Sequence, residues 1–173
     1  MGATYHITAR GNRKNEIFRD TKDYNVYLKI MEESLEYYKE HNYKILSYCL
    51  MTNHVHFIIK TDSQPLGMLI ARSHGVYTRY FNRKYDFEGH LFQGRYFSEL
   101  IKDKKQLLDA SRYIHLNPVK ARIVDDPLKY PWSSYKIIIN ENKNEIVDSD
   151  FLLKYFNKGS SSYKDFVENK IDV

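Results

Sequence analysis

A chain of 173 residues is long enough for one domain with a real hydrophobic core and too short for two independent ones. Lys and Arg outnumber Asp and Glu by 27 to 22, and the resulting net charge of +5 mildly favours a polyanionic partner over an acidic-surface role. The single cysteine, Cys49, excludes an intramolecular disulfide and a cysteine-based zinc site, and no apolar run approaches the ~20 residues of a membrane span, so a soluble cytoplasmic protein is expected.

In chain order, "TYHITARGN" (4–12) alternates Tyr5, Ile7 and Ala9 against His6, Thr8 and Arg10, the pattern of a half-buried strand that ends at Gly11 and Asn12. From Asp20 or Thr21, Tyr24, Tyr27, Leu28, Met31, Leu35 and Tyr38 recur at three- and four-residue steps, which predicts an amphipathic helix to about His41. "YKILSYCL" (43–50) and "HVHFIIK" (54–60) read as two strands joined by "MTN", a hairpin. A second helix follows "TDSQP", with Leu66, Leu69, Ile70, Ser73, Tyr77, Tyr80 and Phe81 on its inner stripe. "LFQGRYFSELI" (91–101) predicts a fourth strand and "DKKQLLDASRYIHLNPVKA" (103–121) a third helix opened by Asp103, with Pro118 ending or kinking it at Asn117. Beyond residue 124, "DDPLKYPWSSY" is turn-rich, "NENKNE" and "NKGSSS" read as exposed connections, and short helical pieces are expected around Phe151–Phe156 and Tyr163–Val167. This order predicts an α+β fold, a four-stranded antiparallel sheet with helices packed on it in the ferredoxin-like arrangement.

"MTNHVHFIIK" (51–60) carries the chemistry. A strand turns alternate side chains to one face, so His54 and His56 point the same way while Val55, Phe57 and Ile59 point into a core, and the pair is expected to be displayed on an open face. Two neutral imidazoles so placed can share one metal ion, although an isolated His-x-His is more often two surface histidines. In the third helix, Tyr113 and Asn117 lie four residues apart on one side, so the Asn117 carboxamide could complete a metal site while the Tyr113 hydroxyl faces a substrate atom. With 16 tyrosines in the chain, Tyr77, Tyr80 and Tyr96 compete for that role. A phenol is mostly protonated near neutrality, and a divalent ion polarising a phosphodiester oxygen makes the phosphorus receptive enough for it. His6 could assist this site or contact DNA, but reads more readily as a satisfied strand histidine; His115 falls on another side of the third helix from Tyr113.

Taken in order, "YHITARGN", "MTNHVHFII", "GHLFQGRYFSELI", "YIHLNPVKARIV" and "YPWSSY" resemble the HUH single-tyrosine transposases, in the REP-associated tyrosine transposase branch, over residues 4–135. The resemblance implies a ferredoxin-like core with the HUH motif on a central strand and the catalytic tyrosine on a C-terminal helix. It implies Tyr113 as nucleophile and His54, His56 and Asn117 as ligands of Mg2+ or Mn2+, with asparagine where the wider superfamily often has glutamine. It further implies nicking of single-stranded DNA beside a hairpin, leaving a 5′-phosphotyrosine and a free 3′-hydroxyl. The bond energy stays in the covalent link, so no nucleotide cofactor is needed to rejoin. Residues 1–135 then form the catalytic domain and 136–173 an extension of it or an appended tail, which favours a monomer over a homodimer.

DNA binding requires positive charge, and the candidates are Arg10, Arg13, Lys14, Arg72, Arg79, Arg83, Arg95, Lys120 and Arg122. "YTRYFNRKY" interleaves base with aromatic, as single-strand binders do. The competing reading is a hairpin-binding protein of the same fold without cleavage. A small-molecule hydrolase is disfavoured because no carboxylate or histidine in these motifs is placed as a general base for water.

Overall fold

In a computed structural model of the chain, which describes residues 2–62, 64–141 and 146–169, the sheet and its three long helices follow the predicted order. The strands are β1 (Thr4–Arg10), β2 (Lys44–Met51), β3 (His54–Lys60) and β4 (Phe97–Ile101), and every neighbouring pair is antiparallel in the order β2-β3-β1-β4. This is the ferredoxin-like arrangement, with β3 and β1 central and β2 and β4 at the edges.

The first helix, α1 (Thr21–Tyr37), begins at Asp20, which accepts the Asp23 backbone N–H while the Asp23 carboxylate accepts that of Asp20, a reciprocal cap. It is shorter than its periodicity suggests. After Tyr37 the chain tightens into a 3-10 turn over Lys39–His41, and Asn42 takes a left-handed conformation (φ 49°) that stops the helix. The second helix, α2 (Gly67–Tyr85), lies against α1, and both cover the sheet face carrying Ile7, Val55, Phe57 and Ile59. Within it Leu69, Ile70, Ser73, Tyr77 and Phe81 are buried as the stripe predicts.

The predicted strand over 91–101 is interrupted. Phe92 bridges Gly11 at the extension of β1, then Gly94 turns with φ 62° and regular pairing resumes only at Phe97. The third helix, α3 (Lys104–Lys120), is opened by Asp103 and continues past Pro118, so it does not end at Asn117. Pro118 lacks one N–H, yet it sits two residues from the helix end and is buried, so packing holds the turn together. The end is closed by the Ala121 N–H on the Asn117 carbonyl at 2.9 Å.

The C-terminal third contributes α4 (Tyr135–Ile139), not anticipated from sequence, then α5 (Asp150–Leu153) and α6 (Ser160–Glu168) in the two regions where helical pieces are expected. Part of "NENKNE" lies outside the described residues. Residues 132–134 and 147–148 run along the outer edge of β2, where the Leu50 N–H donates to the Trp132 carbonyl and the Asp148 N–H to the Ile45 carbonyl. That covering blunts one sheet edge. Among the described residues no helix is long and apolar enough to cross a membrane.

Candidate active site

The second face of the sheet is where the predicted residues meet. Cross-strand register sets Cys49, His56, Thr8 and Phe97 in one row, with Arg10 opposite His54 on one side and Ile58, His6 and Glu99 aligned on the other. Helix α3 lies over the β2 and β3 half of this face. His56 is therefore buried, only 4% exposed, and the expectation of an openly displayed pair fails for it; His54 keeps partial access. Both faces of β3 are covered, which alternation along one strand cannot reveal.

Each imidazole is oriented by its Nδ1. The His54 Nδ1 donates to the Asn53 side-chain oxygen at 2.6 Å, and the same asparagine ties the β2–β3 turn to the basic turn after β1, its amide donating to the Lys14 carbonyl at 3.3 Å. The His56 Nδ1 lies 3.1 Å from Thr8 Oγ1 and 3.3 Å from His6 Nε2. With these atoms engaged, each Nε2 remains for a ligand, and His56 Nε2 is 3.3 Å from the Asn117 carboxamide. Burial first, then the neighbouring His54, His6 and Arg10 charges, pushes His56 down to about 3. Burial, followed by Arg10, also lowers His54. Both rings are neutral near pH 7, the form that ligates metal.

Tyr113 completes the cluster. Its ring centroid is 5.7 Å from that of His56 and 6.0 Å from that of His6, and the residue is 42% exposed, so the hydroxyl-bearing ring is open to a substrate. Lys120, the last residue of the helix, holds its Nζ 5.0 Å from the Tyr113 ring centroid. Tyr77 is buried with its hydroxyl on the Ile17 carbonyl at 2.6 Å, and Tyr80 donates to Asp23, so neither is free for nucleophilic work.

The donor set fits a divalent cation. Among the described residues no group of three His, Cys, Asp or Glu side chains is arranged to hold a metal ion; the neutral donor beside His56 is the Asn117 amide, and a half-turn of that amide brings its oxygen where its nitrogen lies. Two imidazoles and a carboxamide are all neutral and leave the charge of a bound cation uncompensated for a phosphate. Mg2+ prefers oxygen donors and retains waters, whereas two imidazoles accommodate Mn2+ as well.

Of the basic candidates, Arg10, Arg13, Lys14, Lys120 and Arg122 lie near this face. Arg10 is exposed opposite His54, Arg13 and Lys14 occupy consecutive left-handed positions (φ 52° and 65°) in the turn that follows, and Arg122 (φ 58°) leaves the end of α3. Arg95 is exposed in the loop before β4. Arg72, Arg79 and Arg83 belong to α2, on the opposite side of the sheet, and Arg72 stacks on the exposed Tyr37 ring at 3.9 Å. Sequence reasoning passed over Thr8 and Asn53, and His6, read as a satisfied strand histidine, finds its partner in His56. Thr8 and His6 were visible as the polar face of β1, but only the register with β3 makes them neighbours of His56.

Residues 1–117 match the family described as IS200-like transposases. A Haemophilus influenzae protein named as a REP-associated tyrosine transposase is 26% identical over 138 residues, covering 73% of this chain and 75% of the relative. Among solved structures, a REP-associated tyrosine transposase bound to a REP hairpin superposes with a TM-score of 0.65 over 80% of this chain and 79% of its own, at 17% identity, a likeness of fold. The family match extends from the first strand through the last of the four clustered side chains, Asn117, and this chain belongs to the IS200-like transposases.

Proposed function

We propose that this transposase is a metal-dependent transesterase of single-stranded DNA, nicking and rejoining strands beside hairpin or REP-like palindromes through a 5′-phosphotyrosine at Tyr113. The observation that carries the reading is the convergence of Tyr113 on His56, with ring centroids 5.7 Å apart, where Asn117 also meets His56 Nε2 at 3.3 Å. His54, His56 and Asn117 would hold Mg2+ or Mn2+, which when bound supplies charge neutralisation at a phosphoryl oxygen. Asn53, Thr8 and His6 keep the two rings turned so that Nε2 faces the substrate side. As the Tyr113 oxygen bonds to phosphorus, its proton passes to solvent, which the exposure of the residue allows, and the 3′-oxygen leaves and is protonated. A 3′-hydroxyl attacking the phosphotyrosine reverses these changes and restores the phenol.

The solved relative is bound to a REP hairpin, which supports hairpin DNA as the partner of this chain. Arg10, Arg13, Lys14, Arg95, Lys120 and Arg122 surround the site and would meet phosphates, while Arg72, Arg79 and Arg83 would serve only a strand that wraps to the other face. Tyr113 reaches the histidine pair of its own chain, which supports a monomer as the working unit over exchange of α3 between two copies.

Incubation with Mn2+ and hairpin-bearing single-stranded oligonucleotides is expected to give a protein–DNA adduct that survives denaturation. Tyr113→Phe removes the adduct and leaves DNA binding within about twofold, whereas His56→Ala removes both the adduct and Mn2+ binding measured by calorimetry. Hairpin binding without any adduct would make the protein a binding module, and an adduct persisting in Tyr113→Phe would move the nucleophile to another tyrosine.

A further inference from the structure

The face that carries the site is only half covered. Over β2 and β3 lies α3, but over β1 and β4 the described residues leave a floor open, and Phe97 stands on it 65% exposed with Glu99 exposed two residues farther along the same strand. Phe97 is the cross-strand partner of Thr8, whose hydroxyl touches His56, and Glu99 is the partner of His6, whose ring is 6.0 Å from that of Tyr113. The open floor is thus continuous with the proposed nucleophile, one strand spacing of about 5 Å at a time. Arg10 borders it at the His54 end and Lys120 beside Tyr113, so cations flank a surface whose own centre is an aromatic ring and a carboxylate. A phosphodiester chain held by the flanking cations would present its bases, not its phosphates, to that centre.

We propose that this shelf seats a nucleotide base next to the scissile phosphate, Phe97 stacking on the base and Glu99 accepting a hydrogen bond from an exocyclic amino group. Stacking on an exposed aromatic is tolerant of sequence because every base offers a π-face. The carboxylate is not tolerant. A carboxylate only accepts hydrogen bonds, so it favours cytosine, adenine or guanine, each of which carries an amino group, over thymine, whose one donor, the ring N3–H, is flanked by two carbonyls that repel the second carboxylate oxygen. The inference rests on the transesterase reading and adds a base preference to it.

The test uses hairpin oligonucleotides with each base placed in turn at the two positions on either side of the cleaved bond. Affinity is measured by fluorescence anisotropy on the Tyr113→Phe background, and adduct formation is followed in parallel with Tyr113 intact. At one of those positions thymine is expected to bind several-fold more weakly than the other bases, and Glu99→Gln, which can also donate, to abolish that difference. Phe97→Ala lowers affinity for all four bases roughly 5- to 100-fold, and Phe97→Trp restores it. Both side chains are exposed, so melting temperatures stay unchanged. If adducts form and neither variant alters affinity or base preference, the shelf proposal falls and the transesterase stands. A change in sedimentation from dimer to monomer, with DNA binding unaltered, assigns the face to a second copy of the chain and also overturns it. Absence of binding and of adducts with every oligonucleotide removes both readings.

Discussion

His56 meets two demands at once, packing into the space beneath α3 and presenting one nitrogen to the substrate side. It does so because Thr8 and His6 occupy its Nδ1 at 3.1 and 3.3 Å, leaving Nε2 to face Asn117. The His-x-His spacing was legible in the sequence; the partners that turn the rings were not, since they come from a strand nearly fifty residues earlier. A different histidine, half-buried, illustrates packing without a site. His74 on α2 accepts the Tyr27 hydroxyl at Nε2, 3.0 Å away, and its ring stacks on Phe92 with centroids 4.1 Å apart. Burial pushes it down to about 3 from the ordinary 6.5. The Tyr27 phenol, raised by its own burial, stays protonated and remains the donor. Above pH 6.5 the imidazole is neutral in both folded and unfolded chains, and its full contribution to stability is present. Between 6.5 and about 3 the unfolded chain takes up a proton that the folded one refuses, so stability falls with falling pH by up to about 1.4 kcal/mol per unit from this group. His74→Gln keeps an acceptor for Tyr27 and removes the titration. Urea denaturation of this variant between pH 6 and 4 is expected to show a slope shallower by about that amount, and an unchanged slope would place the acid sensitivity elsewhere.

At the scale of elements, α1 and α2 are joined by a buried carboxylate. Asp23, fully buried in the first turn of α1, accepts the Arg19 N–H at 2.8 Å, the Tyr85 hydroxyl at 2.7 Å, the Tyr80 hydroxyl at 3.0 Å and Lys84 Nζ at 2.7 Å. Burial opposes its charge, but Lys84 first and then the Arg19 N–H and the two phenols more than offset this and hold the carboxyl below its usual range. Asp23→Asn leaves Lys84 with only Asp20 and weakens every hydrogen bond to the former carboxylate. A loss of about 2–4 kcal/mol is expected from equilibrium denaturation, with the site residues on the other sheet face unaffected. The helix start at Asp20 could be read locally, as could the apolar stripes of all three long helices. The convergence of Lys84, Tyr80 and Tyr85 on Asp23 could not, because Tyr80 reads as part of the inner stripe and Lys84 as part of a solvated face until α1 is laid against them. Local chemistry also misled in α3, where proline counts against a helix that tertiary packing continues, and at 91–101, where apolar alternation conceals the Gly94 turn.

At the scale of the molecule, the segment beyond residue 135 is tied to the helix that carries Tyr113, the proposed nucleophile. His115, fully buried two residues after Tyr113, places Nε2 2.9 Å from Ser134 Oγ and Nδ1 2.8 Å from the Tyr163 hydroxyl on α6, and Ser134 Oγ also accepts the Tyr48 N–H of β2 at 2.9 Å. One imidazole thus joins the sheet, α3 and the C-terminal helix. Val147 bridges Ile45 along the edge of β2, and Lys44 pairs with Asp148 at 2.9 Å. Tyr163, Leu152, Val167 and Ile138 are all fully buried, and full burial of side chains of this kind stabilises by about 1.5–3 kcal/mol each relative to exposure. Ending the chain at residue 135 keeps Tyr113, His54, His56 and Asn117 yet strips cover from His115 and leaves its Nδ1 without its phenol. The shortened protein is expected to melt at least about 10 °C lower. It is also expected to form adduct more slowly than the full chain at temperatures where circular dichroism finds both folded, because α3 is no longer pinned at the turn that carries Tyr113, the proposed nucleophile. A truncated protein with an unchanged melting temperature and undiminished adduct formation would make residues 136–173 an appended tail and leave the orientation of Tyr113 to the sheet alone.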